Sequence, residues 1–478
     1  MPGLVDSHQH PFLGARQAVG ADLTGLRTLA EVRAAVRAER ARIPDGAWVR
    51  GFALAYEAFD EIAGGMRGDL FDDDVQGSPL FLRCFDFHTA LVNDAALAIA
   101  GVDGPRTFVE SAEVVCVDGR PTGELREWSA ITLVESVVPE PTGDDLLRVY
   151  RDTFLRQAAV GLTGSHVMLG DPDLLVTCAE LEARGWLPAR LVVPLRFEPT
   201  TTAEQLDDWL PHVGDRGRRW RAGSAKFFID GVVETGTAWL EEPDAEGRGL
   251  APFWPDPAWY AECVRRAAEA GFQCITHAVG DRGVRCALDA YRAAGRHGGA
   301  APHRIEHIET LDDAVLRRFA AEGVSASMQP LHMENNSADQ SDPWSRALGP
   351  ARAGRAFRCA DLRRSGARLP LGSDWPVARF DPRYGMGWAR LRREPGRPER
   401  APYGPDQALT ALETLEGYTT EAARAVGEEA HAGRVSAGFR ADLTAFAADP
   451  VDVDADALRD LPVLLTVVDG ESVFRAAP

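Results

Sequence analysis

Apolar and polar positions change period repeatedly along this chain, and each change marks an element. From about residue 155, short β-branched or apolar runs alternate with amphipathic stretches of helical period. Gly161-Leu-Thr-Gly-Ser-His166, Arg190-Leu-Val-Val-Pro-Leu195, Ala225-Lys-Phe-Phe-Ile229 and Phe272-Gln-Cys-Ile-Thr-His277 read as strands. So do Arg304-Ile-Glu-His307, Val324-Ser-Ala-Ser-Met328 and Arg368-Leu-Pro-Leu371. Residues 171–184, 202–210, 257–270, 281–295, 311–321 and 353–365 read as the helices between and after them. Repeated strand–helix units imply parallel pairing with helices outside. Gly3-Leu-Val-Asp6 supplies a first strand and brings the count to eight, the number of a closed (β/α)8 TIM barrel of the α/β class.

The stretch between the first strand and residue 155 is too long for one helix. It carries a helical period over 28–42, strand patterns near 47–54 and 79–85, and a hairpin near 108–126 whose turn is Asp118-Gly119. We expect residues 20–150 to form an inserted subdomain over the mouth of a barrel spanning 1–430. After residue 431 the pattern shortens again. Gly433-Arg-Val, Ala441–Phe446 and Val463–Gly470 read as strands of a small β-sandwich segment, 431–478.

Composition narrows the function more than the fold. The formal net charge of −20 argues against nucleic-acid or anionic-membrane partners, because like charges repel. No apolar run is long enough to span a bilayer, and the N-terminus lacks the regions of a signal peptide. The seven cysteines are scattered and form no C-x-x-C pair, which fits reduced thiols in a cytoplasmic protein. Of the 52 basic residues, Lys226 is the one lysine. Arginine stays protonated, whereas a buried lysine amine sheds its proton and can bond covalently. Lys226 is therefore expected to form a Schiff base, or a carbamate with carbon dioxide that ligates metal.

Its neighbours favour the carbamate. His8 and His10 close the first strand two residues apart, so both imidazoles face one side. Lys226 lies on the fourth predicted strand, His277 ends the fifth, His307 ends the sixth, and Asp374 follows the eighth. Barrel active sites lie at these C-terminal strand ends. Imidazole and carboxylate suit Zn²⁺ or a similar divalent ion, one or two per chain. An anionic carbamate on Lys226 would bridge two ions that otherwise repel. Metal acidifies water, and Asp374 is placed to take the proton as general base. The expected chemistry is metal-assisted hydrolysis of a C–N bond in a small-molecule substrate, with Asp374 and Lys226 as catalytic residues.

The same residues resemble the amidohydrolase superfamily. The flanking words resemble one branch, amidohydrolase family 3, which includes N-substituted formamide deformylases. Those words are Pro2-Gly-Leu-Val-Asp-Ser-His-Gln-His10, Phe87-His88-Thr-Ala-Leu-Val-Asn93, Pro121-Thr-Gly-Glu-Leu-Arg-Glu127, Lys226-Phe-Phe-Ile-Asp-Gly231 and His277-Ala-Val-Gly-Asp281. Arg304-Ile-Glu-His307, Met328-Gln-Pro330, Gly372-Ser-Asp-Trp-Pro376, Tyr418-Thr-Thr and Gly433–Asp442 complete them. The resemblance implies a metal-dependent amidohydrolase acting on non-peptide amide or cyclic amide bonds, built as a β/α barrel with a small β-sandwich. Members of this branch usually carry several dozen residues before the Pro-Gly-x-x-Asp-x-His word, and these supply part of the sandwich. Here the chain begins at that word. Either the start lies further upstream, or the C-terminal strands suffice. The sandwich is then expected to be incomplete, and a homodimer would cover its exposed edge.

A second group of residues is expected near substrate or behind the metal ligands. His88 follows a predicted strand of the insertion, Glu127 follows the hairpin, and His166 ends the second barrel strand. Asp230 follows the Lys226 strand, Asp281 lies one helical turn beyond His277, and His332 follows the seventh strand. Each also has a plain structural explanation as a helix cap or a satisfied buried group. Two other functions compete. A single-metal deaminase on this barrel would carry a glutamate three residues after the fifth-strand histidine, where this chain has Gly280. A non-catalytic interaction protein of the same fold would lose ligands that this chain keeps.

Overall fold

The computed structural model describes residues 1–60, 62–84, 89–108, 112–297 and 301–477, the side chain of Trp128 excepted. The chain divides into two compact units: Met1–Pro11 with Arg151–Pro478, and Phe12–Tyr150.

The first unit is built on a parallel sheet of seven strands in chain order among the described residues. They are β1 (Leu4–Gln9), β2 (Leu162–Val167), β3 (Arg190–Arg196), β4 (Trp220–Phe228), β5 (Gln273–Ala278), β6 (Arg304–His307) and β7 (Ser325–Ser327). Every residue of β2 and β6 is buried, as expected for strands covered on both faces. Helices Pro172–Ala183, Ala203–Trp209, Pro257–Glu269, Asp281–Ala294 and Asp313–Glu322 connect or follow the strands. Side chains at their boundaries explain where they start. Asp171, Asp256 and Asp312 each accept a backbone N–H of the first turn, and Pro172 and Pro257 follow at positions whose N–H has no helical partner. Helix Asp281–Ala294 buries Val284, Ala287, Leu288, Tyr291 and Ala294, a stripe at helical spacing.

Residues 368–375 close the barrel. On one side Ala326 N donates to Arg368 O (2.9 Å) and Met328 N to Pro370 O (3.1 Å). On the other, Ser7 N donates to Leu371 O (3.1 Å), Asp374 N to His8 O (2.7 Å) and His10 N to Trp375 O (2.7 Å). The expected eighth strand is thus present as a bridging segment. Pro370 has no N–H, which breaks a regular ladder.

The C-terminal region is a three-stranded antiparallel sheet, Leu443–Phe446, Val463–Val468 and Glu471–Arg475, with Pro2 bridged to Leu443 at its edge. Gly433-Arg-Val, expected as a strand, lies outside any strand. Gly433 has φ +81°, and a Cβ there would meet Thr419 O at 2.8 Å, so it makes a close turn. The helix expected over 353–365 is confined to Cys359–Arg364, because the left-handed Phe357 (φ 48°) interrupts the approach to it.

The second unit holds a six-stranded mixed sheet. Its strands, in spatial order, are Ala21–Asp22, Val49–Leu54, Leu80–Cys84, Thr89–Val92, Arg120–Arg126 and Glu113–Val117. The last two form the anticipated hairpin. Asp118 (φ 52°) and Gly119 (φ 78°) both take the left-handed conformation a two-residue turn needs. Helix Leu29–Arg42 starts in a capping box between Thr28 and Glu31 and packs Val32 and Val36 into a core with Leu54, Phe71 and Leu82.

Candidate metal centre

The centre starts from Asp6 at the middle of β1. Its carboxylate accepts His8 N (3.0 Å), Ser373 N (3.0 Å) and Ser373 Oγ (2.6 Å), so it ties β1 to the segment carrying Asp374. Burial pushes Asp6 up to about 6 against the pull of these donors. Gly372 permits the close approach, since a Cβ there would meet His8 N at 2.5 Å.

On this frame five side chains converge. Asp374 Oδ1 lies 3.2 Å from His8 Nε2 and 3.0 Å from His10 Nε2, while Oδ2 lies 3.3 Å from His332 Nε2. His8, His10 and Asp374 form one group of candidate ligand atoms, and His307, His332 and Asp374 form another, each group within 4.8 Å. His307 packs edge-on to His8 (4.7 Å between ring centroids) and to His277 (4.4 Å). His307 (φ 74°) and Asp374 (φ 61°) both hold left-handed backbone conformations, a strain that concentrates at functional sites.

Neighbours settle which ring nitrogens face inward. His8 Nδ1 lies 2.6 Å from Glu306 Oε2. His277 Nε2 lies 3.1 Å from the carbonyl oxygen of Gly231, leaving Nδ1 for another partner. Asp230, 3.7 Å from His277 Nε2, accepts the backbone N–H groups of Trp239 (2.9 Å), Val279 (3.0 Å) and Gly280 (2.8 Å). Burial nevertheless pushes Asp230 up to about 7.

Several buried polar atoms at the centre make no hydrogen bond among the described residues. They include Lys226 Nζ, His307 Nδ1, His332 Nε2 and Asp374 Oδ1. Donor atoms that face one another without bonding are the pattern of a ligand set. Lys226 is fully buried, with Nζ 4.8 Å from the centre of the Phe228 ring. Burial lowers it to about 8, although Glu306 and Asp374 pull the other way. Burial, with Lys226 nearby, lowers His277 to about 3. Asp374 is held well below the usual carboxylate range, because His8, His10 and His332 outweigh its burial. His332 rises to about 10 against burial, through Asp374 and Glu309.

Above these groups opens a cavity of about 300 Å³. Its lining includes Phe228, Val232, Trp344, Phe357 and Val377, with Glu309 among the polar groups. Glu309 is positioned by Trp344 Nε1, which donates to it at 2.7 Å.

Three of the remaining expected residues fall elsewhere. His166 is buried beneath the centre and accepts from Arg304 Nη1 (2.9 Å) through Nδ1; it does not line the cavity. Asp281 sits at a helix start and accepts Glu241 N (2.9 Å) and Arg282 N (3.0 Å), so it organises the 232–256 connection. Glu127 opens helix Glu127–Glu135 of the second unit, and His88 lies outside the described residues. Glu306, Arg304, Asp6 and Glu309 had no role in the sequence reading. The signal for two of them was available. Arg304 and Glu306 are two apart on a barrel strand, so one inward face carries two charges.

Comparisons place this geometry among known proteins. N-substituted formamide deformylase of Arthrobacter pascens is 28% identical over 490 residues, covering 98% of this chain and 87% of that protein. An uncharacterized metal-dependent hydrolase from Pyrococcus furiosus superposes with a TM-score of 0.70 at 25% identity, over 95% of this chain and 88% of its own. One from Pyrococcus horikoshii OT3 superposes at 0.72 and 24% identity, over 95% and 87%. A family model described as "Amidohydrolase family" matches residues 1–474. With barrel, ligand groups and whole-length match in agreement, the chain belongs to the amidohydrolase family.

Proposed function

We propose that the protein is a metal-dependent hydrolase that opens a non-peptide C–N bond, an amide or cyclic amide, in a small molecule. The observation that carries this reading is the convergence of His8, His10 and His332 on the two oxygens of Asp374 at the floor of the cavity. Similarity to a formamide deformylase and to metal-dependent hydrolases supports it. The cavity volume suits a small organic substrate.

The residues present fit a divalent ion, most simply Zn²⁺. His8, His10, His277, His307 and Asp374 would hold it or a pair of ions, with His332 beside Asp374. When bound, such an ion polarises a carbonyl oxygen and acidifies water. Lys226 fits the carbamate reading, because its buried amine has no hydrogen-bond partner among the described residues. An amine lowered to about 8 is partly neutral at pH 7, so it can add to carbon dioxide. The C–N bond forms at Nζ of the neutral amine as one C–O π bond of carbon dioxide opens onto its oxygen, Nζ then loses one proton, and the neutral amine becomes an anionic ligand. Asp374, kept ionised by the surrounding histidines, takes a proton from the attacking water at a carboxylate oxygen. His332, raised to about 10 and so already protonated at pH 7, stands beside Asp374 where it can give a proton to the departing nitrogen and then take up the one that Asp374 holds. Phe228, Trp344 and Phe357 shield the reacting carbon from bulk solvent.

A deaminase is less well supported. Gly280 lies where that chemistry would place a glutamate, and a Cβ there would meet Trp239 O at 2.1 Å. The position has no room for a side chain.

The test is to reconstitute the protein with Zn²⁺ and bicarbonate and to follow amine release from N-formyl, N-acyl and cyclic amides. Turnover that is abolished by chelation and absent in Lys226→Arg is expected. Wild-type turnover in Lys226→Arg would remove the carbamate, and turnover unaffected by chelation would remove the metal.

A further inference from the structure

The cavity floor rests on a buried ion pair that the proposed chemistry leaves unused. Arg304 and Glu306 are fully buried on β6. Arg304 Nε donates to Glu306 Oε1 (2.6 Å), and its Nη2 to Glu306 Oε2 (3.0 Å), Ser7 O (2.5 Å) and Ser327 Oγ (3.0 Å). Its Nη1 donates to His166 Nδ1 (2.9 Å), which requires His166 to carry its proton on Nε2. Glu306 Oε2 then faces His8 Nδ1 at 2.6 Å. Two lone pairs cannot face each other at that distance, so a proton lies between Nδ1 and Oε2.

We infer that Glu306 is a positioning residue for the divalent-metal centre: anchored by Arg304, it fixes the Nδ1–H tautomer of His8 and leaves the Nε2 lone pair for the ion. This rests on the reading of the centre as a metal site. A buried ion pair is weak evidence of a stabilising role, since apolar replacements of similar volume are often as stable. Orienting a ligand imidazole does explain it. A carboxylate on the far nitrogen fixes ring and tautomer and raises the basicity of the ligating nitrogen, and removing such a partner typically lowers metal affinity 10- to 100-fold. His166, Ser7 and Ser327 add further acceptors that hold Arg304 in place. Among the described residues the arrangement acts on His8 and not on His10, whose Nδ1 has no hydrogen-bond partner there.

Wild type and Glu306→Gln are titrated with Zn²⁺ alone, and the metal-free thermal transition of each is recorded. Glutamine keeps an acceptor near Nδ1 but removes the charge, so about a 10- to 100-fold weaker affinity is expected. Equal affinity overturns the inference, and a lower transition temperature with unchanged affinity assigns Glu306 to stability alone. Because Glu306→Gln leaves Arg304 unpaired and can fail to fold, zinc-loaded wild type labelled with ¹⁵N-histidine gives a second readout. A His8 Nδ1 proton that resists solvent exchange supports the inference, and an unprotonated Nδ1 overturns it. A wild type that binds no divalent ion overturns the metal reading and this inference together. A wild type that binds tightly, with Glu306→Gln no weaker, overturns this inference alone.

Discussion

His10 Nε2 stands 3.0 Å from Asp374 Oδ1 because the backbones of β1 and the barrel-closing segment are laddered together at that point. Asp374 N donates to His8 O and His10 N to Trp375 O, both at 2.7 Å. The pairing is therefore set by main chain and survives a change of side-chain chemistry. Asp374→Asn should fold with a near-normal thermal transition, retain part of its metal and lose turnover by at least about 100-fold, the usual scale for removing a general base. Steady-state kinetics at saturating metal, on the amide that wild type hydrolyses best, check this. A variant with full turnover would leave proton transfer without its assigned base.

Lys226 gives a pH-dependent prediction for the metal-free protein. Burial moves the ammonium from its ordinary 10.5 to about 8. The folded state thus binds fewer protons than the unfolded chain between those values, so stability rises with pH across that window. Below about pH 8 the buried cation costs its full penalty, roughly 3 kcal/mol at about 1.4 kcal/mol per pH unit. Lys226→Met should be more stable than wild type at pH 7 in the presence of chelator. The gain should shrink as pH rises towards 10.5. Urea unfolding at a series of pH values measures it, and the same variant should fail to restore activity with Zn²⁺ and bicarbonate.

How much of this centre was legible in the sequence depended on the periodicity each residue obeys. His8, His10, His277 and Asp374 were found because strand ends in a barrel point at one mouth. His307 was found for the same reason, yet strict alternation would have misplaced it. Arg304 and Glu306 share the inward face of β6, so His307 would follow Ile305 outward. Its left-handed backbone (φ 74°) brings it back to His8 and His277. Sequence patterns do not show single-residue reversals of that kind. His332 lies in the short helix Pro330–Asn335, where no repeating period exists to aim a side chain. Its contact with Asp374 depends on tertiary packing. Seven barrel strands were readable from short β-branched or apolar runs alternating with stretches of helical period, whereas Gly433-Arg-Val was misread because an apolar residue beside a glycine suits a turn equally well.

Gly280 links β5, which carries His277, to helix Asp281–Ala294 and packs against Trp239 of the connection that follows the Lys226 strand. A Cβ at this position would meet Trp239 O at 2.1 Å and the Trp239 carbonyl carbon at 2.4 Å. Both Trp239 N and Gly280 N donate to Asp230, so the backbone cannot shift without breaking the clamp behind His277. Gly280→Ala should destabilise the fold by about 1–3 kcal/mol, the cost of overpacking a tight contact. It should also weaken metal binding by displacing His277. Denaturant unfolding together with a Zn²⁺ titration checks both effects. Unchanged stability would mean that the connection is slack.

The C-terminal sheet offers a control that should alter stability and leave the metal centre alone. Thr444 Oγ1 donates to Gly161 O and Thr466 Oγ1 to Ala158 O, each at 2.7 Å. Both hydroxyls are buried; Gly161 directly precedes β2 and Ala158 lies in the last turn of helix Gly143–Ala159, at the end of that strand remote from the ligands. Valine has nearly the same shape but cannot donate, so each carbonyl would be left without this partner. Thr444→Val should cost about 1–3 kcal/mol, the penalty for leaving a buried acceptor unpaired, whereas Thr466→Val should cost only about 0.5–1.5 kcal/mol, because Ala158 O keeps the Gly161 N–H at 3.0 Å. Zinc content and turnover at 25 °C should stay within about twofold of wild type, because Thr444 meets β1 at Leu4, the end of the strand opposite His8. A large fall in metal affinity in these variants would show that the sheet sets the geometry of the ligand end, and that the two ends of the barrel cannot be treated separately.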